Sequence, residues 1–322
     1  MFLGAKEPTG ETVLLLDVES GSVAAGLARL EKEKLPRLFG ANRHVFYLPH
    51  SLSASALLER VAHAAREVLS RAATVAARLR SHRTLKPLGE VSKVELFLSS
   101  PWTNLETQTW KHDEASVKTL ADTISAQFGY LPLVVHPLGR PLASVAHGLF
   151  EEDEMLITNV TGEITELLLL RGSTVARRAT LPFGHHFFAR TLTSHAGFSE
   201  AEARSVMRLY LPPSAQETLA TARSHFAEEF REVARTILPP SMSSVVVIAH
   251  EPIGEWFARA FAESAPFEEL FPDGGTVRAL RPHHLLPHLE TGSRDLLLML
   301  EALFVDAEPF AARSHGVYSS YA

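Results

Sequence analysis

The fold class predicted by the 322-residue sequence is α/β, built as two similar halves. Three observations predict it. Short apolar runs of strand length alternate with longer segments whose apolar residues recur every three or four positions. Triplets of strand-like runs occur twice, once near the start and once from Met155 to Pro182. After each triplet the order helix, strand, helix recurs, and this arrangement argues for sheets layered with helices. The duplication lies in the order of elements; the residues themselves do not repeat.

In the first half, Glu11–Glu19 (ETVLLLDVE) is an apolar run with an acidic end and suits a buried strand. Gly21 gives a turn, Ser22–Glu31 returns as the second arm of a hairpin, and Arg43–Leu48 is the third strand. Ser53–Leu79 is a long helix, because Leu57, Val61, Ala65, Val68, Leu69, Ala72, Val75 and Ala76 line one face while Arg60, Arg66, Arg71 and Arg78 lie largely off it. The arginines read as a solvated face, the common use of such charges; docking of an acidic partner or anionic lipid is the other use. Arg80–Gly89 is a loop, and Val91–Ser100 alternates as a strand. Thr107–Trp110 is a further strand, Ala115–Phe128 a helix stopped by Gly129, Leu131–His136 a strand, and Pro141–Phe150 a helix that starts on proline.

In the second half, Met155–Asn159, Glu163–Leu170 and Thr174–Pro182 form the second triplet. Helices are expected at Phe187–His195, Glu200–Leu211, Glu217–Ile237, Gly254–Glu263 and Arg294–Phe304, with strands at Val245–Ala249 and Thr276–Leu280. The tail from Asp306 is expected to be irregular.

Composition narrows the chemistry. The formal net charge of -6 gives no basic footprint, so nucleic acid is not an expected partner. The absence of cysteine excludes disulfides, thiolate metal sites and cysteine nucleophiles, and fits a cytoplasmic protein. Met1–Lys6 shows no signal-peptide pattern, and the longest apolar runs fall far short of the roughly 20 residues that span a bilayer.

Motifs then point to a family. Leu16–Val23 (LDVESGSV) resembles the first phosphate loop of the FtsA/PilM-type proteins of the actin-like ATPase superfamily. Leu156–Glu166 (LITNVTGEITE) resembles their second phosphate segment, and Leu167–Arg190 resembles the strand, turn, strand and helix that follow it. Val245–Phe261 (VVVIAHEPIGEWFARAF) stands where the family has an apolar strand, a glycine-rich adenosine loop and a helix. The resemblance implies a two-lobed actin-like fold, a duplicated ribonuclease H-like unit. It divides the chain into a first lobe at 1–100, a reduced inserted subdomain at 101–140 after LSSPW, a helix returning to the first lobe at 141–152, a second lobe at 153–305 and the tail at 306–322.

The same resemblance implies a nucleotide site made of Asp17, Ser20, Gly21, Ser22, Asn159, Thr161, Gly162, Ala249 and His250, with ATP and Mg²⁺ as cofactors and Asp17 at the metal. Backbone amides of two turns would cradle phosphate, and glycine lets the backbone come close. Yet each element departs from the family pattern. Glu19 stands where a glycine is expected and brings like charge toward a polyanion. Asn159 replaces an aspartate, Thr161 replaces the first glycine of a pair, and the adenosine turn reads Ala249–His250–Glu251–Pro252. Asp17 and Asn159 as simple turn caps are the plainer alternative.

Other constellations carry less. His283, His284 and His288, in a stretch broken by Pro282 and Pro287, read as a loop and match no ligand spacing, and His185–His186 is a bare pair. No serine-hydrolase elbow is present. FtsA-type members anchor through a C-terminal basic amphipathic helix, and nothing after Asp306 has the two faces such a helix needs. The resemblance therefore leans to the PilM type, which binds a short cytoplasmic segment of a membrane protein. The expected function is a cytoplasmic scaffold and pseudo-ATPase, peripheral to the inner membrane through that partner, in a pilus-like or division machinery. Assembly into a homo-oligomer or filament fits the fold. The alternative is a nucleotide-dependent switch that binds Mg-ATP and assembles.

Overall fold

A computed structural model describes residues 10–46, 54–81, 89–102, 114–199, 201–203, 205, 213–239, 242–250 and 253–307. The expected strand Thr107–Trp110 and most of the expected helix Glu200–Leu211 lie outside the described residues.

The first triplet is β1 (Gly10–Val18), β2 (Ser22–Glu31) and β3 (Arg37–Val45). It is followed by α1 (Ala54–Ser81), β4 (Val91–Leu98), α2 (Glu114–Phe128), β5 (Leu133–Pro137) and α3 (Gly139–Phe150). The second triplet is β6 (Glu154–Val160), β7 (Thr165–Arg171) and β8 (Thr174–Leu181). Then come α4 (His185–His195), α5 (Pro213–Ile237), β9 (Ser244–Ile248), α6 (Ile253–Ala262), α7 (Ala265–Leu270) and β10 (Thr276–Ala279). The described chain closes with α8 (Pro282–Leu285), β11 (Glu290–Thr291) and α9 (Leu296–Ala307).

The two sheets repeat one plan. In the first the order is β11-β3-β2-β1-β4-β5, and in the second it is β10-β9-β6-β7-β8. Each triplet is antiparallel, and each first strand also takes a parallel partner, β4 on β1 and β9 on β6.

Alternation along β1 sorts its side chains between two cores, because successive residues of a strand face opposite ways. Leu14, Leu16 and Val18 pack with Val61, Ala65, Val68, Leu69 and Ala72 of α1 on the outer face. Val13 and Leu15 face a central core that also holds Leu142 of α3, Leu297 and Leu300 of α9, and Ile157 and Leu168 of the second sheet. Outside the second sheet lies an aromatic core in which Phe188, Phe226, Phe257 and Phe261 meet edge to face or tilted. Helices α3 and α9 thus share a buried layer with residues from both sheets, and each aromatic ring there and in the outer core contributes on the order of a few kcal/mol by burial.

Several expectations shift. β3 starts at Arg37, six residues before the expected Arg43; Gly40 and Asn42 weaken its strand signal, and an irregularity between Ala25 and Leu27 of β2 accommodates the pairing. α4 starts at His185 rather than Phe187. The histidine cluster expected as a loop is instead the one-turn helix α8 followed by a 3₁₀ turn, Leu286–His288. Pro282 sits in the first turn of α8, where it needs no hydrogen bond, and the Arg281 N–H donates to His284 Nδ1. The stretch 101–140 contributes α2, which packs on α1, and β5, which pairs in parallel with β4 at the edge of the first sheet. Helix α9, reached through the second half, packs on β1, β2, β3 and α3.

Candidate functional site

Two turns meet where the halves join. The first, Glu19–Gly21, links β1 to β2 and closes with Glu19 N–H donating to Ser22 O at 2.9 Å. The second, Thr161–Ile164, links β6 to β7 and closes with Thr161 N–H donating to Ile164 O at 3.0 Å. Of the residues predicted for the site, the structure brings Ser20, Gly21, Thr161 and Gly162 into one contact. Ser20 Oγ lies 2.7 Å from Thr161 Oγ1 and accepts from the Glu163 N–H at 2.9 Å. A Cβ on Gly21 would stand 2.8 Å from Gly162 Cα and 2.6 Å from His186 Cε1, so the backbones pack at a distance only glycine permits.

The second turn also uses up amides of α4. His185 and His186 N–H groups donate to Thr161 O and Gly162 O at 3.0 and 2.9 Å. Glu163 accepts from Arg190 Nη1 at 2.8 Å and sits 3.0 Å from His186 Nδ1. Burial opposes ionisation of Glu163, but the His186 and Arg190 hydrogen bonds outweigh it and lower its pKa. His185 is buried, its Nδ1 has no hydrogen-bond partner, and burial together with His186 and His250 holds its pKa well below the usual histidine value.

Asp17, Ser22 and His250 join a second constellation around Arg43. Arg43 extends from β3 and grips Asp295 with both arms of its fork, Nε and Nη2, at 2.8 and 2.9 Å. Its Nη1 lies 2.7 Å from Asp17 Oδ2, 3.1 Å from Glu19 Oε2 and 2.9 Å from Ser22 Oγ. Ser22 Oγ donates to Glu19 Oε2 at 2.6 Å, and His250 Nε2, from the turn after β9, approaches the same oxygen at 2.7 Å. Burial raises the pKa of Glu19, but the charges of His250 and Arg43 prevail and hold it at about 2. Asp17 goes the other way: burial outweighs Arg43 and raises its pKa well above the carboxylate range. Glu301, on α9, is fully buried with no hydrogen-bond partner on either oxygen, and burial plus the charge of Asp17 raise its pKa too.

Asn159 lies apart from both groups. Its Nδ2 donates to Glu166 Oε2 at 3.1 Å, while the other carboxylate oxygen of Glu166 accepts from the Ser100 N–H, across to the first half, at 2.9 Å. Ala249 packs in the outer core of the second sheet. Arg43, Asp295, Glu301, Glu163 and Glu166 were not singled out from sequence. The one available signal was chemical: Asp17 and Glu19 two residues apart in a buried turn require a cation, which the sequence does not locate. Among the described residues no group of three or more histidine or acidic side chains is arranged to hold a metal ion.

The sequence matches no protein-family model and none of the curated proteins. Solved structures do match. The PilM–PilN type IV pilus biogenesis complex superposes with a TM-score of 0.60 at 14% identity, over 94% of this chain and 100% of the other. The fold is actin-like. The ethanolamine utilization protein EutJ from Carboxydothermus hydrogenoformans superposes with a TM-score of 0.54 at 12% identity, over 93% and 91% of the two chains. MreB 5 of Spiroplasma citri bound to AMPPNP gives 0.50 at 11%, over 95% and 98%. At these identities the likeness shows the actin-like, two-lobed architecture alone. No helix among the described residues is long and apolar enough to cross a membrane.

Proposed function

We propose that the chain is an actin-like pseudo-ATPase, a scaffold whose lobes are held together by its own side chains rather than by Mg-ATP. The single observation that carries the reading is the direct contact of the two turns, Ser20 on Thr161 and Gly21 on Gly162, beside the 2.7 Å Glu19–His250 pair. These residues do not fit a magnesium triphosphate. Asp17 already faces a guanidinium, and Glu19 would set a carboxylate against phosphate. Three amides of the turns are engaged within the protein: Glu19 and Thr161 N–H close their own turns, and Glu163 N–H donates to Ser20.

On this reading the chain works in the cytoplasm as a docking platform for a short segment of an inner-membrane protein. The PilM–PilN complex among the similar structures supports a membrane-linked partner of that kind. A pilus-like machinery is favoured over a division one.

A thermal-shift experiment tests the proposal. A ligand that binds only the folded state stabilises it by about 2.7 kcal/mol at a hundred times its Kd. The wild type is expected to melt at the same temperature with and without millimolar Mg-ATP. A dose-dependent rise that Asp17→Ala abolishes would reject the proposal in favour of a nucleotide switch.

A further inference from the structure

Helix α1 buries one side against the first sheet, where Val61, Ala65, Val68, Leu69 and Ala72 pack, and turns the other to solvent. The solvent side carries Arg60, Arg66, Arg71, Arg78 and Arg80 against the acids Glu59 and Glu67. From Ser70 to Ser81 its charges are all arginines, in a chain whose formal net charge is -6. The arginines form two rims. At about 100° per residue, Arg60, Arg71 and Arg78 fall on one line, and Arg66 and Arg80 fall at the other side of the exposed arc. Between the rims runs a crest of short exposed side chains, Ser70, Thr74, Ala77 and Ser81. Elsewhere exposed arginines are closely paired: Arg171 meets Glu154 at 2.8 Å, and Arg235 meets Glu269 at 3.2 Å. On α1, Arg71 reaches Glu67 only at 3.9 Å, and Arg66, Arg78 and Arg80 meet no carboxylate among the described residues.

We infer that this face docks an acidic helical segment of a partner protein. The inference rests on the docking reading above and adds the surface and the chemistry of the segment. Charge complementarity sets the sign of the partner, since a guanidinium fork binds a carboxylate with two parallel bonds. The shape suits a rod: the rims run along about 30 Å of helix from Arg60 to Arg80, and the low crest lets a second helix axis lie close between them. A membrane surface fits less well. A helix lying in a bilayer interface gives lipid its apolar face, and that of α1 is already packed on the sheet. The exposed large apolar residues, Leu35, Tyr130 and Leu286, all lie off α1.

Fluorescence anisotropy on the full chain tests this, with a labelled acidic helical peptide, four repeats of Glu-Ala-Ala-Ala-Glu, as probe. The wild type is expected to bind it saturably at 50 mM salt and at least tenfold more weakly at 500 mM, and not to bind the same peptide with glutamine in place of glutamate. The Arg71→Glu/Arg78→Glu variant should bind at least tenfold more weakly than wild type. Arg171→Glu/Arg235→Glu, with the same change in net charge on other elements, should stay within about twofold of it. If the first variant does not fold, Arg71→Gln/Arg78→Gln replaces it. No saturable binding, or equal losses in the two charge-matched variants, would overturn the inference. So would phosphatidylglycerol vesicles that sediment the wild type but not the α1 variant, which assigns the face to lipid. Self-association of the wild type that the α1 variant abolishes would overturn it too, by assigning the face to a second copy. A Mg-ATP shift in the wild type sinks the pseudo-ATPase reading and leaves these outcomes unchanged, whereas failure of the peptide to bind sinks only the role given to α1.

Discussion

His250 Nε2 and Glu19 Oε2 stand 2.7 Å apart, and they come from turns in different lobes. Each of the two residues departs from the phosphate- and adenosine-binding pattern that the neighbouring sequence resembles, and the two meet across the junction. A carboxylate that would repel phosphate is here the acceptor of a cross-lobe bond.

A double-mutant cycle on this pair follows directly. His250→Ala leaves the buried Glu19 carboxylate with less compensation and should cost about 1–3 kcal/mol. Glu19→Gln should cost a comparable amount, and the double variant less than the sum. Urea denaturation is expected to give a coupling energy of about 1 kcal/mol or more, as residues sharing a buried network do. A coupling near zero would mean that the contact holds nothing together.

The glycine contact makes a steric prediction. Gly21→Ala and Gly162→Ala each place a methyl group within 3 Å of the other turn and of His186. Both should destabilise by about 1–3 kcal/mol, the cost of overpacking a fixed site. Gly148, inside α3, has open space where a Cβ would stand, so Gly148→Ala should be stabilising by up to about 1 kcal/mol. Equal effects at all three positions in thermal denaturation would count against the tight junction.

The acids divide into two pH behaviours. Glu163 has a lowered pKa in the fold, so its contribution is present above the unfolded carboxylate value and is lost as pH falls through the folded one. Glu163→Gln should therefore flatten the loss of stability on acidification below about pH 4. Glu301 has a raised pKa, so the folded state holds its proton and stability declines as pH climbs through the raised value. Glu301→Gln should match wild type only below about pH 4, the unfolded glutamate range, and surpass it increasingly as pH rises above that. Stability curves from chemical denaturation at a series of pH values check both signs, and a Glu301→Gln curve parallel to wild type would contradict the second.

Much of the fold was legible because burial writes a simple period into sequence. The apolar run of β1 read as a buried strand, and the stripe from Val61 to Ala76 pointed to the helix face that packs. β3 was misplaced because Gly40 and Asn42 are poor strand formers; Asn42 is held by pairing with Ala25 of β2 and Gly40 falls at the irregularity in that pairing, a tertiary effect. The turn residues Ser20, Gly21, Thr161 and Gly162 were readable from local motif. Arg43 was not, because its fork closes on Asp295, 252 residues away, and a single sequence gives no sign of which distant acid an arginine will meet.

Calorimetric titration of the wild type with Mg-ATP tests the central claim most directly. The account predicts no saturable heat up to about 1 mM ligand, an affinity weaker than roughly 4 kcal/mol of binding free energy. Saturable one-to-one binding that disappears in Asp17→Ala would contradict it.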